Sequence, residues 1–245
     1  MTSSDRTALV TGGSRGIGAA TALRLARDGA DVALTYVQDK EAADAVVRRI
    51  EGYGRRAVAL RCDAADAEAA GGVVHEAADA LGRLDVLVNN AGIGLVGPVT
   101  GFTPADVDRV LAVNVRAVFL ACRAAADRLA DGGRVISLGT ALSRYAGGPG
   151  ATLYAMSKSA LAGLTKPLAR ELGHRGITVN LVQPGPVDTD MNPAGGPFAD
   201  GQRAATALGR FGTTAEVAAL VAYLASPEAA YITGTEVVVD GGHAA

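Results

Sequence analysis

Short apolar runs alternate with longer helical patterns from one end of this chain to the other, and that alternation constrains the fold more than any other feature. The runs are "TALVTG" (7–12), "DVALTYV" (31–37), "AVALRCD" (57–63), "LDVLVNN" (84–90), "GRVISLG" (133–139), "ITVNLVQ" (177–183) and "EVVVD" (236–240). Strands separated by helix-sized segments are joined by βαβ crossovers, which make neighbouring strands parallel. Runs that are apolar on both faces need helices on both sides. The expectation is an α/β, doubly wound (Rossmann-type) single domain over residues 1–245, with a seven-stranded parallel sheet flanked by helices. No repeat, charge block or Ser/Pro-rich linker divides it. The stretch 184–212 is irregular, with four prolines and six glycines before a helix opening near Thr214. A long irregular segment in a compact domain suits a substrate lid, placed here at about 186–212.

Composition removes several classes of function. Lys and Arg number 23 against 25 Asp and Glu, a formal charge of −2, so there is no global positive field to hold a nucleic acid or an anionic membrane. Cys62 and Cys122 stand far apart, outside any CxxC or Cys/His pattern, which argues against a disulfide scaffold and against zinc. His75, His174 and His243 are scattered, and no metal site is expected. No apolar run approaches the roughly 20 residues of a membrane span. The opening "MTSSDRTALVTGG" lacks the layout of a signal peptide. The expectation is a cytoplasmic protein with no nucleic-acid or membrane partner.

"TALVTGGSRGIG" places Gly12, Gly16 and Gly18 directly after the first run, with a helix beginning near Gly16. Glycines allow a tight turn and let backbone approach a pyrophosphate, and the helix N-terminus adds free N–H groups and the positive end of its dipole. The spacing is G-x-x-x-G-x-G, unlike the G-x-G-x-x-G of other dinucleotide folds. An NAD site usually carries an acid at the end of the second strand, because a carboxylate binds the ribose hydroxyls and repels a 2′-phosphate. Tyr36 stands there instead, and Arg15 inside the turn offers a guanidinium for such a phosphate. NADP(H) is therefore the expected cofactor. Asp63, ending the third run, suits either the adenine amino group or the cap of the next helix.

The stretch "SLGTALSRYAGGPGATLYAMSK" (137–158) sets Tyr154 and Lys158 four residues apart, on one face of a helix beginning near Thr152. A carbonyl that receives a hydride needs a proton donor, and a phenol with an ordinary pKa of about 10 needs a nearby ammonium to ionise near neutrality. Alone, Tyr-x-x-x-Lys is an ordinary surface pattern.

Taken together, "TGGSRGIG" (11–18), "NNAG" (89–92), Asn114 in "LAVNVRA", "YAMSK" (154–158), "PGPVDTDM" (184–191) and "YITGTEVVVDGG" (231–242) resemble the short-chain dehydrogenase/reductase family. The likeness is to its 3-oxoacyl-carrier-protein-reductase-like branch and covers almost the whole chain. It implies cofactor contacts at Gly12, Ser14, Arg15, Ile17, Gly18, Asp63, Asn90, Ala91, Gly92, Tyr154, Lys158, Pro184, Gly185, Val187 and Thr189. It implies as well that Asn114 holds a water in a proton relay to the lysine, the bland alternative being an Asn bonded to backbone at a helix kink.

The family places a catalytic Ser upstream of the Tyr, and at the usual spacing that place falls on Ala141. Aligning from "GRVISLG" instead puts Thr140 there, with one additional residue in the loop before Tyr154. A threonine keeps the hydroxyl and adds a methyl that restricts χ1. Ser137, inside the strand, and Ser143, in the loop, compete for the role. The expected catalytic set is Asn114, Thr140, Tyr154 and Lys158.

Pocket walls are sought at Leu95, Val96, Leu142, Arg144, Tyr145, Met191 and Phe198, which suit an apolar carbonyl or alcohol substrate; Arg144 would either meet an anionic group on it or stand as a solvated loop arginine. Asp188 and Asp190, beside Thr189, are read as shaping the lid. The helix read over 114–130 is apolar around much of its circumference, and its outer face suits a second subunit in a homodimer or homotetramer. Two functional readings follow: an NADPH-dependent ketoreductase, or a nucleotide- or ligand-binding sensor on the same fold with weak or no turnover.

Overall fold

The computed structural model describes residues 6–146 and 148–245. The first five residues, part of the stretch read above for a leader, and Gly147, in the loop before Tyr154, lie outside the described residues.

Seven strands form one sheet: β1 (Thr7–Val10), β2 (Asp31–Tyr36), β3 (Ala57–Arg61), β4 (Leu84–Asn89), β5 (Leu129–Leu138), β6 (Thr178–Pro184) and β7 (Glu236–Val239). Their order is β3-β2-β1-β4-β5-β6-β7 and every pairing is parallel. The order reverses between β1 and β4, and in open α/β sheets the carboxyl ends of strands at such a switch point form a crevice.

The helices are α1 (Gly16–Arg27), α2 (Lys40–Glu51), α3 (Ala67–Leu81), α4 (Pro104–Leu111), α5 (Ala117–Arg128), α6 (Thr152–Leu172), α7 (Ala199–Ala204) and α8 (Thr214–Ala225). Strand alternation distributes β1 between two cores. Ala8 and Val10 join side chains of α1, α2 and α8 on one face, while Leu9 joins α3, α5 and α6 on the other. Small residues make the close packing possible: α3 lies against α5 through Ala70, Ala77, Ala121 and Ala125, all buried.

Two departures from the sequence reading have local causes. The helix read over 114–130 is interrupted: Ala112–Arg116 forms a π-turn, and the chain turns extended at Leu129, so β5 begins ahead of "GRVISLG". Gly132 and Gly133 conceal that early start, because they break the β-rich pattern while Leu129 already pairs with Leu84. The segment 186–212, read above as a lid, contains the short helix α7 and is joined at its ends by a bridge between Val187 and Gly212.

Candidate active site

The turn from β1 into α1 is held by its neighbours. Thr35 on β2 takes Gly12 N–H on its hydroxyl at 2.8 Å and Gly13 N–H on its carbonyl at 2.9 Å. Asn90, just past β4, donates its amide to the carbonyls of Thr11 and Gly12 at 2.9 and 3.0 Å, and the Thr11 hydroxyl accepts from Asn90 and Ala91 N–H. "NNAG" thus splints "TGG", and the Asn90 side chain serves the turn itself. Glycine is required at two places here. Gly12 adopts φ 63°, and a Cβ at Gly18 would stand 2.2 Å from Gly12 O.

The N-terminus of α1 has no side-chain cap and no acid in its first turn, while α2, α3, α4 and α8 are capped by Asp39, Asp66, Thr103 and Thr213. Its free N–H groups and dipole face a glycine cradle, which fits the pyrophosphate of a dinucleotide. Ser14, Arg15 and Ile17 lie around that cradle. Tyr36 closes β2 with its ring largely buried. Asp63 accepts Ala65 N–H at 2.9 Å on one oxygen, but Asp66 is what caps α3, so Asp63 is spared that duty.

The chemical end lies where β5 and α6 meet. Thr140 follows β5 and is buried, and its hydroxyl accepts Leu142 N–H at 3.3 Å. Ser137 is also buried and accepts from Asn89 at 3.3 Å, too deep for the role. Ser143 gives its hydroxyl proton to Thr140 O at 2.7 Å. Of the three hydroxyls, Thr140's is the one brought to Tyr154.

Burial raises the Tyr154 phenol above its ordinary value, and the neighbouring Thr140 side chain opposes this. Lys158, one turn on, is buried and pushed down to about 8. It makes no ion pair among the described residues and donates to Leu138 O at 2.8 Å. A Cβ at Gly92 would stand 3.0 Å from Lys158 Nζ and 3.2 Å from Asn114 Oδ1, so the last residue of "NNAG" leaves room for both.

Asn114 behaves as the bland alternative describes. Its side chain accepts Ile93 N–H and donates to Ile93 O, both at 2.9 Å, and it donates to Ser157 Oγ at 2.9 Å. These contacts clamp the π-turn to the segment after β4. Sequence reasoning missed Ser157, which is fully buried and passes its own proton to Tyr154 O at 2.8 Å. Its signal was its place directly before Lys158, on the face turned towards the helix before it.

On the substrate side, Met191 Sδ and the Tyr154 ring both lie by Gly94, 3.6 and 3.8 Å from where a Cβ there would stand. Val96, Met191 and Phe198 are exposed. Leu95 and Leu142 are half-buried. Arg144 Nε donates to Gln183 Oε1 at 2.8 Å, and its guanidinium lies 3.7 Å from Glu236. Tyr145 packs edge-on against His243. Pro184, Gly185 and Val187 form the exit of β6, where a Cβ at Gly185 would meet Asp240 at 2.6 Å. Thr189 lies over Gly16. Asp188 accepts Ala194 N–H at 2.9 Å. Among the described residues no group of three His, Cys, Asp or Glu could hold a metal, and no helix is long and apolar enough to cross a membrane.

Residues 12–244 match the family profile described as enoyl-(acyl carrier protein) reductase. The chain is 42% identical over 240 residues to the cyclic-di-GMP-binding biofilm dispersal mediator protein of Escherichia coli K12, covering 98% of each. It is 39% identical over 240 residues to the 3-oxoacyl-[acyl-carrier-protein] reductase of Staphylococcus aureus, covering 97% of each. A short-chain dehydrogenase from Burkholderia cenocepacia, crystallised with NADP, superimposes with a TM-score of 0.98 at 53% identity, with full coverage of both chains. With this sheet order, this glycine turn and relatives of this identity along its whole length, the chain belongs to the short-chain dehydrogenase/reductase family.

Proposed function

We propose that this protein is an NADPH-dependent reductase of an apolar ketone or other carbonyl compound, running hydride transfer reversibly. The observation that carries the reading is the meeting of a buried Thr140 at the end of β5 with Tyr154 and, one helical turn on, a buried Lys158 that donates to Leu138 O. Gly12, Gly18 and the N–H groups opening α1 would hold the pyrophosphate, Arg15 beside Tyr36 the 2′-phosphate, Asp63 the adenine, and Lys158 the nicotinamide ribose. Ala91, Gly92, Pro184, Gly185, Val187 and Thr189 would line the remainder of the dinucleotide. Bound there, the nicotinamide supplies the hydride.

The chain's own residues do the remaining work. Thr140 donates a hydrogen bond to the substrate oxygen and Tyr154 gives it a proton as negative charge develops. Lys158, held by Leu138 O, stabilises the phenolate left behind and brings its titration towards neutrality. The clamp from Asn114 to Ile93 and Ser157 keeps the first turn of α6 in register with the strand ends. Val96, Met191 and Phe198 give the opening an apolar rim, and closure of residues 186–212 over it would exclude water.

The protein works in this reading as a cytoplasmic homodimer or homotetramer. Phe119, 55% exposed on α5, supports an intersubunit face. The second reading, a ligand-binding sensor with weak or no turnover, is favoured by the described role of the Escherichia coli relative.

Steady-state assays of NADPH oxidation with ketones, quinones and acyl thioesters test the proposal. Turnover with at least one class is expected, with kcat/KM for NADPH above that for NADH. No turnover with any of them, together with tight binding of cyclic di-GMP, would replace the enzyme by the sensor.

A further inference from the structure

The first turn of the lid rests on the opening of α1. Thr189 Cγ2 lies 3.7 Å from where a Cβ at Gly16 would stand, and the next residue, Asp190, sets Oδ2 3.5 Å from Arg15 Nη1. Both side chains face solvent, at 69% and 73% exposure. Neither has another ion pair or side-chain hydrogen bond among the described residues. Asp188, two residues earlier, commits its carboxylate to Ala194 N–H. The two acids of "VDTDM" therefore do different things: Asp188 shapes the lid, and Asp190 faces the arginine of the glycine turn.

We infer that Asp190 is a specificity-determining residue, which competes with the 2′-phosphate of the dinucleotide for the Arg15 guanidinium and so ties cofactor preference to the lid. The inference rests on the reading above in which Arg15 meets that phosphate. A phosphate monoester carries close to two negative charges near neutrality, and a guanidinium presents donors along its edges. When a phosphate takes Arg15, Asp190 loses its partner and is left as a like charge beside the newcomer. The unphosphorylated cofactor brings no such charge and leaves the pair intact. The carboxylate thus weakens the phosphorylated form alone, and by linkage a bound 2′-phosphate loosens the hold of the lid on α1. An exposed pair at this distance stabilises by a fraction of a kcal/mol up to about 1, so the selective effect is about two- to fivefold in affinity.

The test is Asp190→Asn, which keeps shape and removes charge. Dissociation constants are measured by calorimetry for NADPH, NADH, adenosine 2′,5′-bisphosphate and AMP, the last two lacking the nicotinamide that lid contacts would sense. Expected is a two- to fivefold tightening for NADPH and the bisphosphate, with NADH and AMP unchanged, and a loss of this difference in about 1 M salt. An equal shift for all four ligands, or no shift for any, overturns the inference. Asp188→Asn, which perturbs the lid without touching Arg15, should not discriminate between the two pairs; if it does so as strongly as Asp190→Asn, the inference also fails. Arg15→Ala separates the two levels of argument. If it weakens the phosphorylated ligands selectively while Asp190→Asn changes nothing, only the role of Asp190 is lost. If it weakens neither, the reading of Arg15 falls and the inference with it.

Discussion

Where β1 meets α1, the groups set to bind are main-chain N–H groups, and the chain around them is fixed by contacts that only glycine tolerates; where β5 meets α6, the groups set to react are side chains, and what fixes them is burial. A Cβ at Gly18 would stand 2.2 Å from Gly12 O, and the turn is sewn to β2 and β4 by Thr35, Thr11 and Asn90. Thr140, Tyr154 and Lys158 are instead positioned by strand and helix geometry, then tuned by desolvation that raises the phenol and lowers the ammonium. A backbone device announces itself through glycine spacing. A side-chain device shows which residue types are present but not which way each one points.

The largest effect expected from breaking the chemical end alone comes from Tyr154→Phe. The ring keeps its place and the proton donor goes, so kcat should fall by on the order of 10³-fold. NADPH binding, measured by fluorescence, should stay within about twofold, because the α1 end is untouched. Substantial turnover in this variant would remove Tyr154 from the mechanism.

Next comes Thr140. Thr140→Val preserves the branched shape and deletes the hydroxyl, for an expected loss of about 10²-fold or more in kcat/KM, the scale of losing one preorganised donor to a developing oxyanion. Thr140→Ser should keep the activity or raise it, since the hydroxyl survives and the pocket gains a methyl's room. Wild-type rates in the Val variant alongside an inactive Ser143→Ala would transfer the role to Ser143, against the bond from Ser143 to Thr140 O.

A third change breaks the other end. Gly18→Ala drives a methyl into Gly12 O and the Asn90 amide, both part of the stitched turn. Unfolding in urea should show a loss of about 2 kcal/mol. Dinucleotide affinity should drop steeply even in whatever fraction stays folded, since the turn cannot close with the carbonyl displaced. Unchanged stability and affinity would mean that the turn is looser than its contacts indicate.

The same contrast explains what could be read beforehand. All seven strands were legible because buried parallel strands are apolar on both faces, and α1, α6 and α8 open where Gly16, Thr152 and Thr214 indicated. The onset of β5 was not legible, because the pairing of Leu129 with Leu84 is set by tertiary contact across Gly132 and Gly133. Arg144 carried the composition of an anion contact, yet its direction is decided by Gln183 and Glu236, residues about 40 and 90 positions away. The clamp of Asn114 on Ile93 was not legible either, since it exists only once the π-turn faces the end of β4. The strand pairing at Leu129 and the partners of Arg144 and Asn114 alike come from long-range packing that no local pattern encodes.

The smallest effect, and the one that best separates tuning from folding, concerns Lys158. Its ammonium is buried with one carbonyl partner, and burial moves it from 10.5 down to about 8. A base whose folded value lies below its unfolded value binds fewer protons when folded, so its contribution to stability rises with pH between about 8 and 10.5 and is least favourable below 8. At pH 7 the cofactor-free wild type therefore bears the full cost of a buried charge. Lys158→Met removes that charge while filling much of the space, at the expense of one hydrogen bond to Leu138 O. The shift corresponds to about 3 kcal/mol, and a lost hydrogen bond returns about 1 kcal/mol of it. The Met variant should thus be more stable at pH 7 by about 2 kcal/mol, and the gap should close as pH rises towards 10.5. Tyr154 is common to both proteins, so its own titration largely cancels in the difference. Turnover and NADPH affinity should both fall in the same variant, as required of a lysine kept for its charge and not for its packing. A Met variant less stable than wild type at pH 7 would mean that Lys158 is structurally paired and that its lowered titration has another origin.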